Sequence, residues 1–283
     1  MGLSPLPSRV GSGVGLSQEG HGGGSLYGLL GYPLGHSFSR AFFNNKFAQE
    51  GIDAEYVNFE LPDVAALPAL LAEHPNLRGF NVTIPHKQAV IPYLDALSDE
   101  ARAIGAVNVV KVVRSNGRTT LTGYNSDIIG FMDSIRPLLQ PHHRRALVLG
   151  TGGASKAICR GLERLGLEWR YVSRQRQLPS VTVPEGSPEG SFTYSDITPA
   201  LLADYTVIVN CTPLGMYPRI DAAPELPYAA LSPRHLLYDL VYNPDITLFM
   251  RQGRRFGATV KGGLEMLHRQ AVAAWEFWNN ESL

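Results

Sequence analysis

The chain has 283 residues, with 25 Lys and Arg set against 25 Asp and Glu, and shows no basic stripe of the kind a nucleic-acid partner demands. No apolar run reaches the roughly 18 to 20 residues of a membrane helix, and the two distant cysteines, Cys159 and Cys211, exclude a disulfide framework or a CxxC metal site. These limits leave a protein of one large or two modest domains that acts on small molecules in the cytoplasm, with no metal and no obligate protein partner.

The first 25 residues hold eight Gly, five Ser and two Pro, with Arg9 as the lone Lys or Arg. They predict a disordered tail without the apolar segment of a secretion signal. From Leu26 the pattern is α/β. SLYGLLGYP reads as a short strand stopped by a Gly-Tyr-Pro turn. SRAFFNNKFAQEGI then places Phe42, Phe43, Phe47 and Ile52 at helical spacing after a serine cap. AEYVNFEL alternates as a strand, Val64 to Leu71 as a helix, LRGFNVTIP as a strand, and residues 88 to 104 as helical pieces. GAVNVVKVVRSNGRTTLTGYNSD predicts a hairpin turning at Asn116-Gly117. RRALVLGTGGASKAICRGLERLG opens a second block as strand, glycine turn and amphipathic helix. Further strands are LEWRYVSR, TVIVNCTP and HLLYDLVYNP, and the last helix runs from Gly263 to Phe277. Strands alternating with helices imply a parallel, doubly wound sheet.

LVLGTGGASKAI sets Gly150, Gly152 and Gly153 between a strand and a helix. There the backbone can approach a pyrophosphate and the N–H groups at the helix start can meet its charge. Ser155 at the sixth position departs from GxGxxG, so the loop also reads as a plain structural turn. The next strand ends YVSRQRQ, with no acid before Glu185 to accept ribose hydroxyls. Arg174 and Arg176 stand where a 2′-phosphate lies, and guanidinium holds phosphate through paired donors. NADP is favoured over NAD.

Four motifs of the first block carry chemistry. HSFS (36–39) offers two hydroxyls just before a helix, where a carboxylate can bind, although Ser39 read alone is a helix cap. NVTIPHK (81–87) breaks a β-branched run at Pro85 and presents Lys87, either a solvated surface charge or an ammonium aimed into a cleft. GYNSD (123–127) brings Asp127 near a domain boundary, where small ligands usually bind. His36 and His86 read as groups that orient local backbone, since no further metal-ligand spacing accompanies them.

Taken in order, GYPLGHSFS, NVTIPHK, GAVN, GYNSD, LGTGGAS, NCTPLGMYP, DLVYNP and GGLEMLHRQA give the chain from Leu26 to the last helix a resemblance to the shikimate dehydrogenase family, NADP-dependent enzymes that interconvert shikimate and 3-dehydroshikimate. The resemblance implies two α/β domains. A substrate domain with a mixed sheet would span residues 26–125 and be completed by 263–283, and a Rossmann-like NADP domain would span 126–262. It also implies roles. Lys87 and Asp127 match the catalytic pair, Ser37 and Ser39 the carboxylate-binding serines, and Thr83 a hydroxyl at the substrate site. Asn108, Tyr242 and Gln270 match groups that contact the ring hydroxyls. Gly150, Thr151, Gly152, Gly153 and Ala154, with Ser173 and Arg174, match the cofactor cradle, while Leu240 and Gly263 fall at the nicotinamide end. Met216, Trp275 and Trp278 read as packing groups.

The sequence departs from the family pattern at Arg40, Val109 and Ser126 and in VSRQ (172–175); none of these removes a catalytic group. The nearest rival reading is an NAD-dependent quinate/shikimate dehydrogenase. Ser39, often threonine in quinate-preferring relatives, and the acid-free strand end both speak for shikimate with NADP. A noncatalytic NADP-binding sensor on the same fold would be expected to have lost Lys87 or Asp127.

Overall fold

The computed structural model describes residues 24–35, 37–175 and 191–280. Most of the predicted tail, His36 and Arg176 lie outside the described residues. The first block runs β1 (Ser25–Gly31), α1 (Phe38–Glu50), β2 (Ala54–Glu60), α2 (Leu67–Glu73), β3 (Leu77–Val82), α3 (His86–Ala89), β4 (Ala96–Leu97), α4 (Asp99–Ile104), β5 (Val109–Ser115) and β6 (Arg118–Tyr124). Its six strands form a mixed sheet in the order β2-β1-β3-β5-β6-β4. β1 is parallel to both neighbours, and β5 is antiparallel to both of its own. Asn116 and Gly117 have φ of 52° and 74°, the left-handed pair that a two-residue hairpin turn requires.

The second block runs α5 (Asp127–Ile135), β7 (Arg145–Leu149), α6 (Gly153–Arg164), β8 (Glu168–Ser173), β9 (Phe192–Thr193), α7 (Pro199–Asp204), β10 (Val207–Asn210), β11 (Leu236–Asp239), α8 (Leu248–Arg255), β12 (Thr259–Lys261) and α9 (Leu264–Asn279). Its sheet has the order β12-β11-β10-β7-β8-β9 with every pairing parallel. This is the doubly wound dinucleotide-binding arrangement: successive strands are added outward in one direction from β7 and in the other from β10, so the strand order reverses between these two parallel strands. The central strands are continuous apolar runs because helices cover both faces: Ala146 to Leu149 and Val207 to Val209 are fully buried.

Each sheet is likewise packed on two sides. In the first, Leu30, Leu67, Phe80 and Val110 belong to a mainly aliphatic core, while Tyr27, Phe43, Tyr56 and Trp278 form an aromatic one against α1 and α9. The indole of Trp278 donates to the Val110 carbonyl at 3.0 Å. Thus the last helix returns to the first sheet, and its Met266 also joins Phe131 and Ile135 of α5 in the core of the second. Gly130 lets α5 and α9 approach so closely that a Cβ there would meet the Met266 carbonyl at 2.5 Å. On the outside, Glu100 of α4 pairs with Arg160 (3.1 Å) and Arg164 of α6, a second tie between the two blocks. Among the described residues no helix is long and apolar enough to cross a membrane.

Asp239, at the end of β11, has no exposed surface. It accepts hydrogen bonds from Asn210 Nδ2 (2.9 Å), the Val241 N–H (3.1 Å) and Thr247 Oγ1 (2.6 Å). Burial outweighs these bonds and pushes its carboxyl up from 3.8 to about 6. The native state therefore holds this proton more tightly than the unfolded chain does. The resulting stability is complete below about pH 4 and is lost as pH rises through about 6, a swing of about 3 kcal/mol. We expect urea midpoints of an Asp239→Asn variant to vary less between about pH 4 and 7 than those of wild type. Parallel pH profiles for the two proteins would refute this.

Candidate active site

β1 ends at Gly31, and the chain passes through Tyr32 and Pro33 to Ser37, whose extended backbone (φ −93°, ψ 116°) caps α1 as its Oγ accepts the Arg40 N–H at 3.2 Å. The cap is therefore Ser37, and Ser39, read from the sequence as the cap, lies in the first helical turn. Both face a cavity of about 590 Å³. β3 ends at Val82, Pro85 starts the short α3, and Lys87 sits in its single turn. Lys87 thus belongs to a helix, and its side chain is turned inward and 18% exposed. Thr83, Asn108, Asp127, Tyr242 and Gln270 line the same cavity. All eight residues assigned to substrate or catalysis are brought together from six separate stretches of chain.

The central contact joins Lys87 Nζ to Asp127 Oδ2 at 2.6 Å. Asp127 opens α5, where the helix dipole favours a carboxylate, and its own N–H is held by Asn125 Oδ1 at 3.1 Å. Its other oxygen accepts from Asn108 Nδ2 at 2.9 Å, and the same amide nitrogen reaches Gln270 Oε1 at 3.3 Å. The Ser126 N–H donates to Asn108 Oδ1 at 2.7 Å, which sets the orientation of that amide. The ammonium is therefore anchored by one carboxylate oxygen and keeps further N–H donors for a ligand.

His86 is 3% exposed, and its Nε2 lies 2.6 Å from the Leu61 carbonyl. It orients backbone, as the sequence suggests. Asn81 and Met216 are among the cavity groups that escape the sequence reading. Asn81, near the end of β3, lies two residues before Thr83 and lines the cavity with it, and a period-two reading of NVT is the signal that could have found it. Met216 is 45% exposed and lines the cavity from the second block, which corrects its reading as a packing group. Trp275 and Trp278 do pack, around Tyr27.

A second cleft, of about 950 Å³, opens at the carboxyl ends of β7, β8 and β10, the place where doubly wound sheets bind nucleotides. Gly150, Thr151, Gly152, Ser173 and Arg174 line it. Gly150 has φ of +92°, and a Cβ there would meet Thr212 at 2.8 Å. Nothing lies within 4 Å of the Cβ positions of Gly152 and Gly153, so the loop presents bare backbone to open space. No side chain caps α6, whose first turn, including Gly153 and Ala154, offers N–H groups to an anion. These features fit a dinucleotide diphosphate. Leu240 and Gly263 lie outside the lining of this cleft and pack against each other, the Leu240 carbonyl closing the space where a Gly263 side chain would go. Thr212 and Tyr194 also line the cleft; no spacing signal in the sequence marks them.

Residues 29–110 match the family model described as the shikimate dehydrogenase substrate binding domain. A relative named shikimate dehydrogenase (NADP(+)) from Desulforamulus reducens is 37% identical, the match covering 89% of this chain and 88% of the relative. The chain belongs to the shikimate dehydrogenase family. Another family member of that name, from a Nostoc species, is 40% identical over 89% of this chain and 90% of its own length. The crystal structure of the Thermus thermophilus shikimate 5-dehydrogenase in complex with NADP(H) and shikimate superposes with a TM-score of 0.76 at 32% identity, over 90% of this chain and 93% of that one.

Proposed function

We propose that this chain catalyses the reversible NADPH-dependent reduction of 3-dehydroshikimate to shikimate, a step toward the aromatic amino acids, with Lys87 and Asp127 as the catalytic pair. The observation that carries the catalytic assignment is the 2.6 Å contact between Lys87 and Asp127, inside a cavity that also holds the Ser37 and Ser39 hydroxyls. Substrate binding is assigned to residues 26–125 with 263–283 and cofactor binding to 126–262. The shared lining of Met216 and Tyr242 supports a site completed by both. The location is cytoplasmic, where unpaired thiols such as those of Cys159 and Cys211 persist.

Bound NADPH supplies a hydride to the C3 carbonyl carbon. Ser37 and Ser39 hold the substrate carboxylate at the start of α1, with Thr83 beside them. Asn108, Tyr242 and Gln270 orient the ring hydroxyls. Lys87 gives a proton to the carbonyl oxygen and takes it back in the alcohol-oxidising direction. Asp127 fixes the ammonium and shares its proton. On the cofactor side, Gly150 to Ala154 receive the diphosphate, Ser173 and Arg174 the 2′-phosphate, and Leu240 and Gly263 back the nicotinamide end.

The purified protein should reduce NADP⁺ with shikimate, read from NADPH absorbance, and do so faster than with quinate or with NAD⁺. Absence of turnover with shikimate under both cofactors would defeat this reading. Faster turnover of quinate with NAD⁺ would replace it by the rival one.

A further inference from the structure

Beneath the substrate cavity lies a tyrosine for which the mechanism has no use. Tyr56, in β2, has no exposed surface. Its backbone is clamped by the Asn44 side chain of α1, which donates to the Tyr56 carbonyl and accepts its N–H, both at 2.9 Å. Its ring stacks on Phe43 at 4.8 Å between centroids and 15° between planes. The helix that Ser37 caps and that carries Ser39 is thus tied to the sheet at this residue, beside the contact of its Phe47 with Tyr27 of β1.

The hydroxyl of Tyr56 points at the cavity floor and donates to Asn81 Oδ1 at 2.8 Å. Asn81 Nδ2 in turn donates to the Asn108 carbonyl at 3.2 Å. An amide nitrogen has two hydrogens. With its oxygen satisfied by Tyr56 and one hydrogen by Asn108, Asn81 keeps one N–H for the cavity it lines. The reverse orientation would set the Asn81 oxygen against the Asn108 carbonyl. Ser39 borders the same hydroxyl. Burial raises the Tyr56 phenol well above its ordinary value and the Ser39 contact opposes that rise, so Tyr56 stays a neutral donor.

We propose that Tyr56 is a positioning residue for substrate binding, its buried hydroxyl holding Asn81 so that an amide N–H is aimed at an oxygen of the ligand beside Ser39. The inference rests on the proposed shikimate site. It adds a residue that touches no substrate yet sets how well the cavity is organised, and it gives Asn81 the role of a donor.

Tyr56→Phe keeps the ring stack and removes only the oxygen. Losing one positioning hydrogen bond should raise KM for shikimate by about 3- to 10-fold, while kcat and KM for NADP⁺ stay within about twofold. In an Asn81→Ala background the same change should add less than about twofold, because the group through which it acts is gone. A purely structural role would instead lower the melting temperature and leave KM for shikimate as in wild type, and that result overturns the proposal. So does an equal rise in KM for substrate and cofactor, or full additivity with Asn81→Ala. Wild-type turnover of shikimate is measured first. Its absence defeats the parent reading and this inference together, whereas normal wild-type turnover with an unaltered Tyr56→Phe enzyme defeats the inference alone.

Discussion

Replacing Lys87 by alanine should lower turnover of 3-dehydroshikimate by about 100- to 10,000-fold, the usual contribution of a positioned acid, and leave NADPH affinity close to that of wild type. The second half of the expectation follows from the layout. Lys87 lines the 590 Å³ cavity and is absent from the lining of the cofactor cleft. Alanine also strands Asp127, whose carboxylate is 8% exposed and retains its bond from Asn108 and its place at the start of α5. Lys87→Arg separates pairing from proton transfer. A guanidinium can still pair with Asp127, but it does not give up its proton at accessible pH, so the arginine variant should melt near the wild-type temperature and turn over as slowly as the alanine variant. Rapid turnover by Lys87→Arg would show that the charge, rather than the proton, does the work. Single-turnover measurements with prebound NADPH decide the matter.

Much of this site is legible in the sequence because its parts sit on elements with strong local signals. The β-branched run ending at Val82, the Asn116-Gly117 turn and the glycine loop after Leu149 each mark where a strand stops, and both cavities are lined by residues at strand ends. The elements that escape are those whose form depends on distant partners. The two-residue β4 and β9 and the three-residue β12 are too short to carry a period and exist because an edge is available to them. The helix α5 is hidden for another reason. DIIGFMDSI buries Ile128 and Phe131 together with Gly130 and Asp127, because it is enclosed between α9 and the second sheet, and a helix covered on several sides shows no polar face to give the 3.6-residue period away.

The site residues divide along the same line. Ser37, Thr83 and Asp127 stand at the ends of elements, where a motif can be seen. Tyr56 and Met216 do not. In AEYVNFEL the tyrosine is one more apolar position of an alternating strand, and its hydroxyl acquires meaning only when Asn81, 25 residues away, is brought to 2.8 Å. Met216 lies in a loop without periodicity and reaches the cavity from the opposite block. Long-range placement is what local pattern omits, and in this fold the α5 and α9 pair supplies it. That pair carries Asp127 and Gln270 to a common amide, that of Asn108.

Removal of Arg174, the residue assigned to the 2′-phosphate in the proposed site, should have the next largest effect. Arg174 follows directly on β8 and lines the cleft with Ser173 and Tyr194. The position where an NAD site presents an acid is held here by Ser173-Arg174-Gln175. A charge-assisted hydrogen bond to phosphate contributes about 1.5 to 3 kcal/mol. Arg174→Ala should therefore raise KM for NADP⁺ by about 10- to 150-fold while KM for NAD⁺ moves by less than about threefold, and kcat with saturating NADP⁺ should hold. The asymmetry is the informative part, because the 2′-phosphate is the one group by which the two cofactors differ, and a residue that met only the shared diphosphate would weaken both alike. Steady-state rates with each cofactor at saturating shikimate distinguish the two outcomes, and an equal loss for NADP⁺ and NAD⁺ would move Arg174 from the 2′-phosphate to the diphosphate.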